Sequence, residues 1–276
     1  MSKRFGGVLR VGLSKSGVTL LQTSGWLRLQ RQVLAECALS KEESSSPELI
    51  AAKLRSLLDA AYGARLPVRV VLSDDWVRRW MVTPPQNATR LADCMSAAAA
   101  RFQALFGEAP SDWQLTADWD TRRPFLACAM PLWLLAVLRQ VAREYRLVLL
   151  EVAPQFVVAW NRWRAQLTEV AWFGVIHGKV LTLAAPSQRG LGAVHGVTLP
   201  DEVLHDQSRL PQIVAREALR LNLAMPSEIR LCGQIPAHWV MQEIDSLAFA
   251  RLDQPWLYDA LPLSAGMSLA VTGLPS

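Results

Sequence analysis

Ser14, Lys15, Ser16 and Gly17 stand between two apolar runs, VLRVGL and VTLLQT. A turn of this composition presents backbone N–H groups, and a lysine among them adds charge, so it is a place where an anion such as phosphate can sit. The same pattern is also a plain β-hairpin, with alternating arms and turn formers between them. A magnesium–phosphate site needs carboxylates for the cation, and this turn has none. Asp74-Asp75 is the next pair with metal-binding chemistry, although acids at a strand end are also common turn formers. His177, His195, His205 and His238 have no ligand spacing such as HExxH; His177 and His195 fall on neighbouring strand-like stretches and are the two that zinc would use. GxSxG and GxxxxGK[ST] are both absent, and Gly178-Lys179 lacks the upstream glycine of a phosphate loop. No catalytic set emerges. A binding surface does: Trp113 and Trp119 alternate with Leu115 and Ala117 on one face of DWQLTADW, and Arg122 and Arg123 follow directly. An extended peptide adding to such a strand edge would fill pockets with alternate side chains, and the arginines would meet acids or carbonyls. The alternative is that these tryptophans pack their own segment.

Composition bounds the rest. The chain has 276 residues, net charge +5, pI near 9.3, 51% hydrophobic and 19% charged residues. That is material for one large domain or two lobes. No uncharged apolar stretch reaches the ~20 residues of a bilayer span, and MSKRFGG precedes no signal-type apolar core; a cytoplasmic protein is expected. Cys37, Cys94, Cys128 and Cys232 are far apart without a CxxC pair, which predicts reduced, buried thiols. The basic residues are dispersed (RLQRQ, VRRW, TRRP), a pattern that does not suggest nucleic acid. Eleven Trp against three Tyr implies core fillers, and some residues at a contact surface.

The elements that must position these residues follow from periodicity. The hairpin leads to a third strand through WLRLQRQVLAECAL. SKEESSSPE reads as a loop, and Ser46-Pro47-Glu48 opens a helix that runs to about Tyr62 and ends at Gly63. PVRVVLSDDW is a buried strand and VRRWMVTPP a strand stopped by prolines. ATRLADCMSAAAARFQALFG is a helix with Leu91, Met95, Ala98, Phe102 and Leu105 on its stripe. DWQLTADWD and RPFLACAM form a strand pair. PLWLLAVLRQVAREY is a helix, RLVLLEVAP a buried strand, and Pro154 starts a further helix. The pattern then restarts: two strands joined at His177-Gly178, a third strand in RGLGAVHGVTLP, a helix in DQSRLPQIVAREALRLNLAM, a strand in SEIRLCG, a helix in PAHWVMQEIDSL, and a closing helix with Ala265, Gly266 and Ala270.

The order is βββ-α-β-α twice, with an insertion in the first copy. It predicts an α/β, actin-like (ribonuclease H-like) two-lobed fold: lobe one at 1–165 with an inserted subdomain at about 84–120, and lobe two at 166–276. The closing helix, at about 262–273, is able to pack back on lobe one. Within that layout, PVRVVLSDDWVRRWMVTPP, MPLWLLAVLRQVAREYRLVLLEVAPQFVVAWNRW, LCGQIPA and PLSAGMSLAVTGL resemble the corresponding stretches of the PilM/GspL family of type IV pilus and type II secretion assembly platforms. The ordered set carries the resemblance, which spans nearly the whole chain. It implies a cytoplasmic scaffold held peripherally at the inner membrane through its partners. Those partners would be the cytoplasmic tail of a PilN-like or GspM-like membrane protein and, as a second candidate, the assembly motor ATPase.

In nucleotide-binding relatives, as the resemblance has it, an acid and a glycine precede the first hairpin turn. Here Gly12 and Ser14 occupy those positions. The second hairpin offers Gly178 without an acid, and the adenosine-side glycine pair is reduced to Gly233 before Gln234. The expectation is therefore no cofactor, no metal and no catalytic residue. If ATP with Mg2+ or another anion does bind, Ser14, Lys15, Ser16, Gly17, Gly178 and Gly233 would hold it. The partner-binding residues are expected to be Trp113, Trp119, Arg122 and Arg123. The alternatives are an ATP-binding switch or ATPase of the same machinery, or a sugar-kinase-like enzyme, which would need a catalytic Asp for which no matching motif exists.

Overall fold

The structure, a computed structural model, describes residues 7–25, 30–61, 66–168, 170–188, 190–239, 241–253 and 265–274. The expected helix end at Tyr62 and Gly63 lies outside them. Internal contacts divide the chain into two compact units. Unit 1 comprises Met1–Trp76, Leu132–Asn161 and Gln254–Ser276, and unit 2 comprises Val77–Pro131 and Arg162–Asp253. The segment at 84–120, assigned by sequence to lobe one, therefore groups with unit 2.

Unit 1 is built on five strands: β1 (Val8–Leu13), β2 (Gly17–Ser24), β3 (Gln30–Ala38), β4 (Pro67–Leu72) and β8 (Val148–Pro154), in the order β3-β2-β1-β4-β8. The first three are antiparallel, while β4 runs parallel to β1 and to β8. Alternation along β1 divides its side chains between two faces. Leu9 and Val11 line one apolar cavity with Leu54 and Leu58 of α2 (Pro47–Ala61) and Leu138 and Val141 of α4 (Leu132–Glu144). Arg10 and Gly12 face the closing helix, α8 (Ala265–Val271). Two local readings change. SKEESSSPE is not wholly loop: a capping box between Ser40 and Glu43 opens one short helix, α1 (Lys41–Ser45), before Ser46 caps α2. And β8 is an edge strand, not a buried one, leaving Val148 and Leu150 exposed.

Unit 2 holds two sheets. The small one, β5-β7-β6, is formed by β5 (Arg78–Val82), β6 (Trp113–Ala117) and β7 (Phe125–Pro131), all antiparallel, under α3 (Leu91–Phe106). The α3 residues that reach its core are Cys94, Ala98 and Phe102; Leu91, Met95 and Leu105, expected on the same stripe, are exposed. The larger sheet runs β11-β10-β9-β12-β14-β13. It contains β9 (Ala171–His177), β10 (Val180–Ser187), β11 (Gly190–Thr198), β12 (Glu228–Gly233), β13 (Glu243–Ile244) and β14 (Leu247–Arg251), and α6 (Asp201–His205) and α7 (Leu210–Leu221) pack into its core. The helix expected in PAHWVMQEIDSL is instead a turn followed by the β13–β14 hairpin. Asp245 and Ser246 both take positive φ, 48° and 63°, the geometry of a two-residue hairpin turn, which a helix cannot contain. Of the four cysteines, Cys94, Cys128 and Cys232 are buried and Cys37 is half-buried.

Candidate functional sites

The β1–β2 turn is held by its own first serine. Ser14 Oγ accepts from the amides of Ser16 (3.2 Å) and Gly17 (3.0 Å), and the Ser14 amide donates to the Gly17 carbonyl at 2.9 Å. Three amides that would face an anion are thus engaged inside the turn. The Lys15 ammonium lies 5.5 Å from the Trp76 ring centre, a cation–π contact. Gly12 has no room for a side chain, since a Cβ there would stand 1.9 Å from the Gly266 carbonyl oxygen of α8. The absence of an acid at this position is therefore a packing requirement. Arg10, two residues back on the same face, donates to the carbonyls of Ala270 and Thr272 at the end of α8, and burial pushes its guanidinium pKa down to about 10. A cation is well placed at a helix C-terminus.

Asp74 and Asp75 take separate tasks. Asp74 is buried and accepts from the Phe156 amide (3.1 Å) in the first turn of α5 (Gln155–Trp163), while Asp75 accepts from Ser73 Oγ. No group of three or more His, Cys, Asp or Glu with metal-site geometry occurs among the described residues.

In unit 2, β12 pairs with β9 so that Gly233 lies opposite Ile176, which brings Gly178 and Gly233 together through Gln234. The Gly178 amide donates to Gln234 Oε1 (3.1 Å), the Gln234 amide to the Ile176 carbonyl (2.8 Å), and the Gly233 amide to Asp253 Oδ2 (2.7 Å). Lys179 is paired with Asp201. Both glycines have positive φ, 55° and 95°, and the amide of each is taken by a side chain, Gln234 and Asp253.

His177 and His195 sit on β9 and β11, with β10 between them, while His205 and His238 are exposed. His195 Nδ1 lies 2.9 Å from Oε2 of Glu217, a carboxylate only 2% exposed on α7. Burial pushes the His195 pKa below its ordinary value, and the Glu217 charge opposes that shift. Sequence reasoning did not find this pair, nor the Arg10 clasp. The signal for each was a charge inside an apolar pattern, Glu217 in IVAREAL and Arg10 in VLRVGL.

The tryptophans of the inserted segment face inward. Phe102 packs at a tilt against Trp80 and Trp113 with ring centres 5.2 and 5.6 Å apart, and Trp119 packs on Phe125 at 5.7 Å. With Leu115 and Ala117, both tryptophans line the small core under α3. Arg122 and Arg123 point elsewhere. Asp120 takes both of their amides (2.8 and 3.1 Å) and the Arg123 guanidinium (2.9 Å), fixing the loop. The two arginines line a cleft of about 450 Å³ with Pro124, Ser187, Gln188, Leu191 and Gly192. The structure therefore joins Arg122 and Arg123 to the β10–β11 hairpin and separates them from Trp113 and Trp119.

With this geometry in hand, the whole-chain comparison decides the architecture. The structure aligns over 99% of its length, and over 100% of the other chain, with a chain from a PilM-PilN type IV pilus biogenesis complex, at 16% identity and a TM-score of 0.63. A protein of Bacteroides thetaiotaomicron with an actin-like ATPase fold and unknown function aligns over 85% of this chain and 84% of its own, at 11% identity and a TM-score of 0.57. The chain has the actin-like fold. The cytoplasmic domain of EpsL, an inner-membrane component of the type II secretion system of Vibrio cholerae, shares it over 98% of this chain and 96% of that one, at 13% identity and a TM-score of 0.57. No protein-family model and no curated protein matches the sequence. On this actin-like frame the hairpin turns at Ser14 and Gly178 are held by hydrogen bonds within the chain, and the exposed arginine cleft belongs to the β6–β7 loop and the β10–β11 hairpin.

Proposed function

We propose that the protein is a non-catalytic scaffold of a type IV pilus or type II secretion assembly platform, which binds the cytoplasmic tail of a membrane partner of PilN or GspM type. The observation that carries this reading is the full-length likeness to the chain of a PilM-PilN complex, matched end to end. The EpsL likeness supports the same kind of machine. Fold alone does not confer activity, so the non-catalytic half rests on the turns: a space at position 12 that admits no side chain, and amides already engaged at Ser14, Ser16, Gly17, Gly178 and Gly233. The tail would lie in the Arg122–Arg123 cleft, with Trp113 and Trp119 supporting the loop from beneath. Binding to the partner would place the protein at the inner membrane, and the motor ATPase is a second candidate partner.

Titration of the protein with a peptide from the cytoplasmic tail of a PilN-type membrane protein tests the reading. Arg122→Glu should weaken binding by at least ~1–2 kcal/mol with an unchanged melting curve, and Trp119→Ala should lower the melting temperature. Unchanged binding in Arg122→Glu removes the cleft from the proposal. Saturable heat with Mg-ATP at a dissociation constant below about a millimolar overturns the nucleotide-free reading in favour of an ATP-binding switch.

A further inference from the structure

Charge, a fixed loop and an open strand edge specify what the Arg122–Arg123 cleft takes. Both guanidinium groups line it and, among the described residues, no carboxylate does. The nearest acids in the chain are Asp118 and Asp120. Asp118 is exposed just after β6, with its amide donating to the Leu126 carbonyl (3.4 Å). Asp120 is already engaged: Oδ1 accepts from the amides of Arg122 and Arg123, and Oδ2 from Arg123 Nε at 2.9 Å. Glu169 and Arg189, which the strand register directs towards the β10–β11 hairpin, lie outside the described residues. Among the described residues, no ion pair or hydrogen bond engages the Arg122 guanidinium. The loop that presents it is pinned to the core, since the Asp120 carbonyl accepts from Sγ of the buried Cys94 on α3 (3.6 Å). Pro124 and Leu191 give the cleft an apolar wall. The main chain at Leu191 and Gly192 belongs to β11, the last strand of its sheet, beyond which no described strand pairs. An edge of this kind carries N–H and C=O groups open to an extended chain.

A guanidinium whose donors are all unspent matches a carboxylate in a planar, paired geometry. An apolar wall beside it takes a neighbouring aliphatic side chain, and the strand edge takes the main chain. We propose that the cleft reads one carboxylate flanked by aliphatic residues: an Asp or Glu in an extended segment of the partner's tail, its carboxylate on Arg122 and its aliphatic neighbour on Pro124 and Leu191. Arg123 assists with the nitrogens that Asp120 does not take. This inference rests on the reading that the tail occupies the cleft, and it names the chemistry that selects the segment. The cytoplasmic flank of a membrane span is enriched in Lys and Arg, which two arginines repel. The acidic contact therefore falls farther along the tail, away from the bilayer.

The test is fluorescence polarisation of the full chain with two labelled probes. One is a PilN-type tail peptide that carries acids; the other is a model octapeptide centred on Leu-Glu-Leu. Each is run beside a copy whose acids are replaced by the amides. The acidic forms should bind about fivefold tighter or more, and the difference should shrink with added salt. Arg122→Gln should abolish the preference with an unchanged melting curve, because the amide at that position still donates to Asp120. Arg101→Gln, which removes an exposed arginine on α3, should leave it as it was. Equal binding of acidic and amide forms, or a preference that survives in Arg122→Gln, overturns the inference; the scaffold reading then stands if the tail itself still binds. A model peptide that binds through Arg122 where the tail does not keeps the carboxylate site and counts against the PilN-type partner. Inorganic phosphate that displaces the model peptide more effectively than unlabelled acidic peptide does assigns the cleft to a phosphate anion and overturns the inference, as does failure of both probes to bind.

Discussion

Gly12→Ala adds one methyl group where α8 already lies. Its Cβ would stand 1.9 Å from the Gly266 oxygen and 2.7 Å from the Ala270 nitrogen, both backbone atoms that no rotamer change can move. Ordinary contact begins at 3.4 Å, so α8 must retreat by about 1.5 Å. That retreat stretches both bonds from Arg10 to the end of the helix. Overpacking of this kind costs ~1–3 kcal/mol, and loss of hydrogen bonds to a charged group a further ~1.5–3 kcal/mol. The expected destabilisation is ~3–5 kcal/mol, a large share of the ~5–15 kcal/mol that holds a typical protein. Urea unfolding followed by tryptophan fluorescence and circular dichroism checks it, with each unit's transition fitted separately. The melting temperature of unit 1 should drop by roughly 6–15 °C. Gly178→Asn is the control: its Cβ meets open space and asparagine accepts φ near 55°, so the cost should stay below ~1 kcal/mol. A Gly12→Ala protein within ~0.5 kcal/mol of the parent, the range of an ordinary surface change, refutes the seating of α8 on β1. By the same geometry Gly12→Asp should unfold unit 1 rather than create a cation site.

Two other outcomes are expected. His195 has a lowered pKa in the folded state because of its burial, so the stabilisation linked to the neutral imidazole is fully present above its ordinary value of 6.5 and is lost as pH falls below it. Urea midpoints at pH 7.5 and 5.5 should therefore differ in the parent and converge in His195→Gln; an equal pH dependence in both proteins refutes the assignment. Gln155 is wholly buried, and both atoms of its amide lack a partner among the described residues. Gln155→Leu should therefore raise stability, by up to ~1–3 kcal/mol, and a lower midpoint would reveal a bound water or partner at that amide.

The fold was largely legible because its signals are periodic. Alternation pointed to β1, β2 and β6, a short apolar run to β7, and Ser46-Pro47 to the start of α2. Three readings went astray where periodicity carries no information. RLVLLEVAP has the apolar density of a central strand, but burial depends on sheet order, and β8 is last in its sheet. PAHWVMQEIDSL has helical spacing, yet Asp245 and Ser246 adopt left-handed backbone that composition does not announce. On α3, Leu91 and Leu105 lie at the two ends of the stripe, where the small sheet does not reach them and both stay exposed. The candidate sites divide the same way. Arg122 and Arg123 were singled out from residue type as partner-binding candidates, and they line one cleft. Their cleft was not, because the β10–β11 hairpin that completes it lies more than sixty residues away in sequence.

The three turns have one feature in common that bears on the proposed function. For an anion to use the Ser14–Gly17 turn, Ser16 and Gly17 must release Ser14 Oγ, and that hydroxyl, only 1% exposed, must find other partners. Each intramolecular bond surrendered costs ~0.5–1.5 kcal/mol, so a phosphate starts ~1–3 kcal/mol behind its affinity for an open turn, a factor of roughly 5 to 150. At Gly178 and Gly233 the same deficit recurs, since the opposing acceptors, Gln234 and Asp253, are side chains already in place. Arg122 carries no such cost, whereas Arg123 would have to share its guanidinium with Asp120. Asp120 binds their amides and one guanidinium, and the Arg122 side chain extends into the cleft with the loop already fixed. Preorganised donors at the cleft and self-satisfied donors at the turns favour recognition of a partner over binding of a nucleotide.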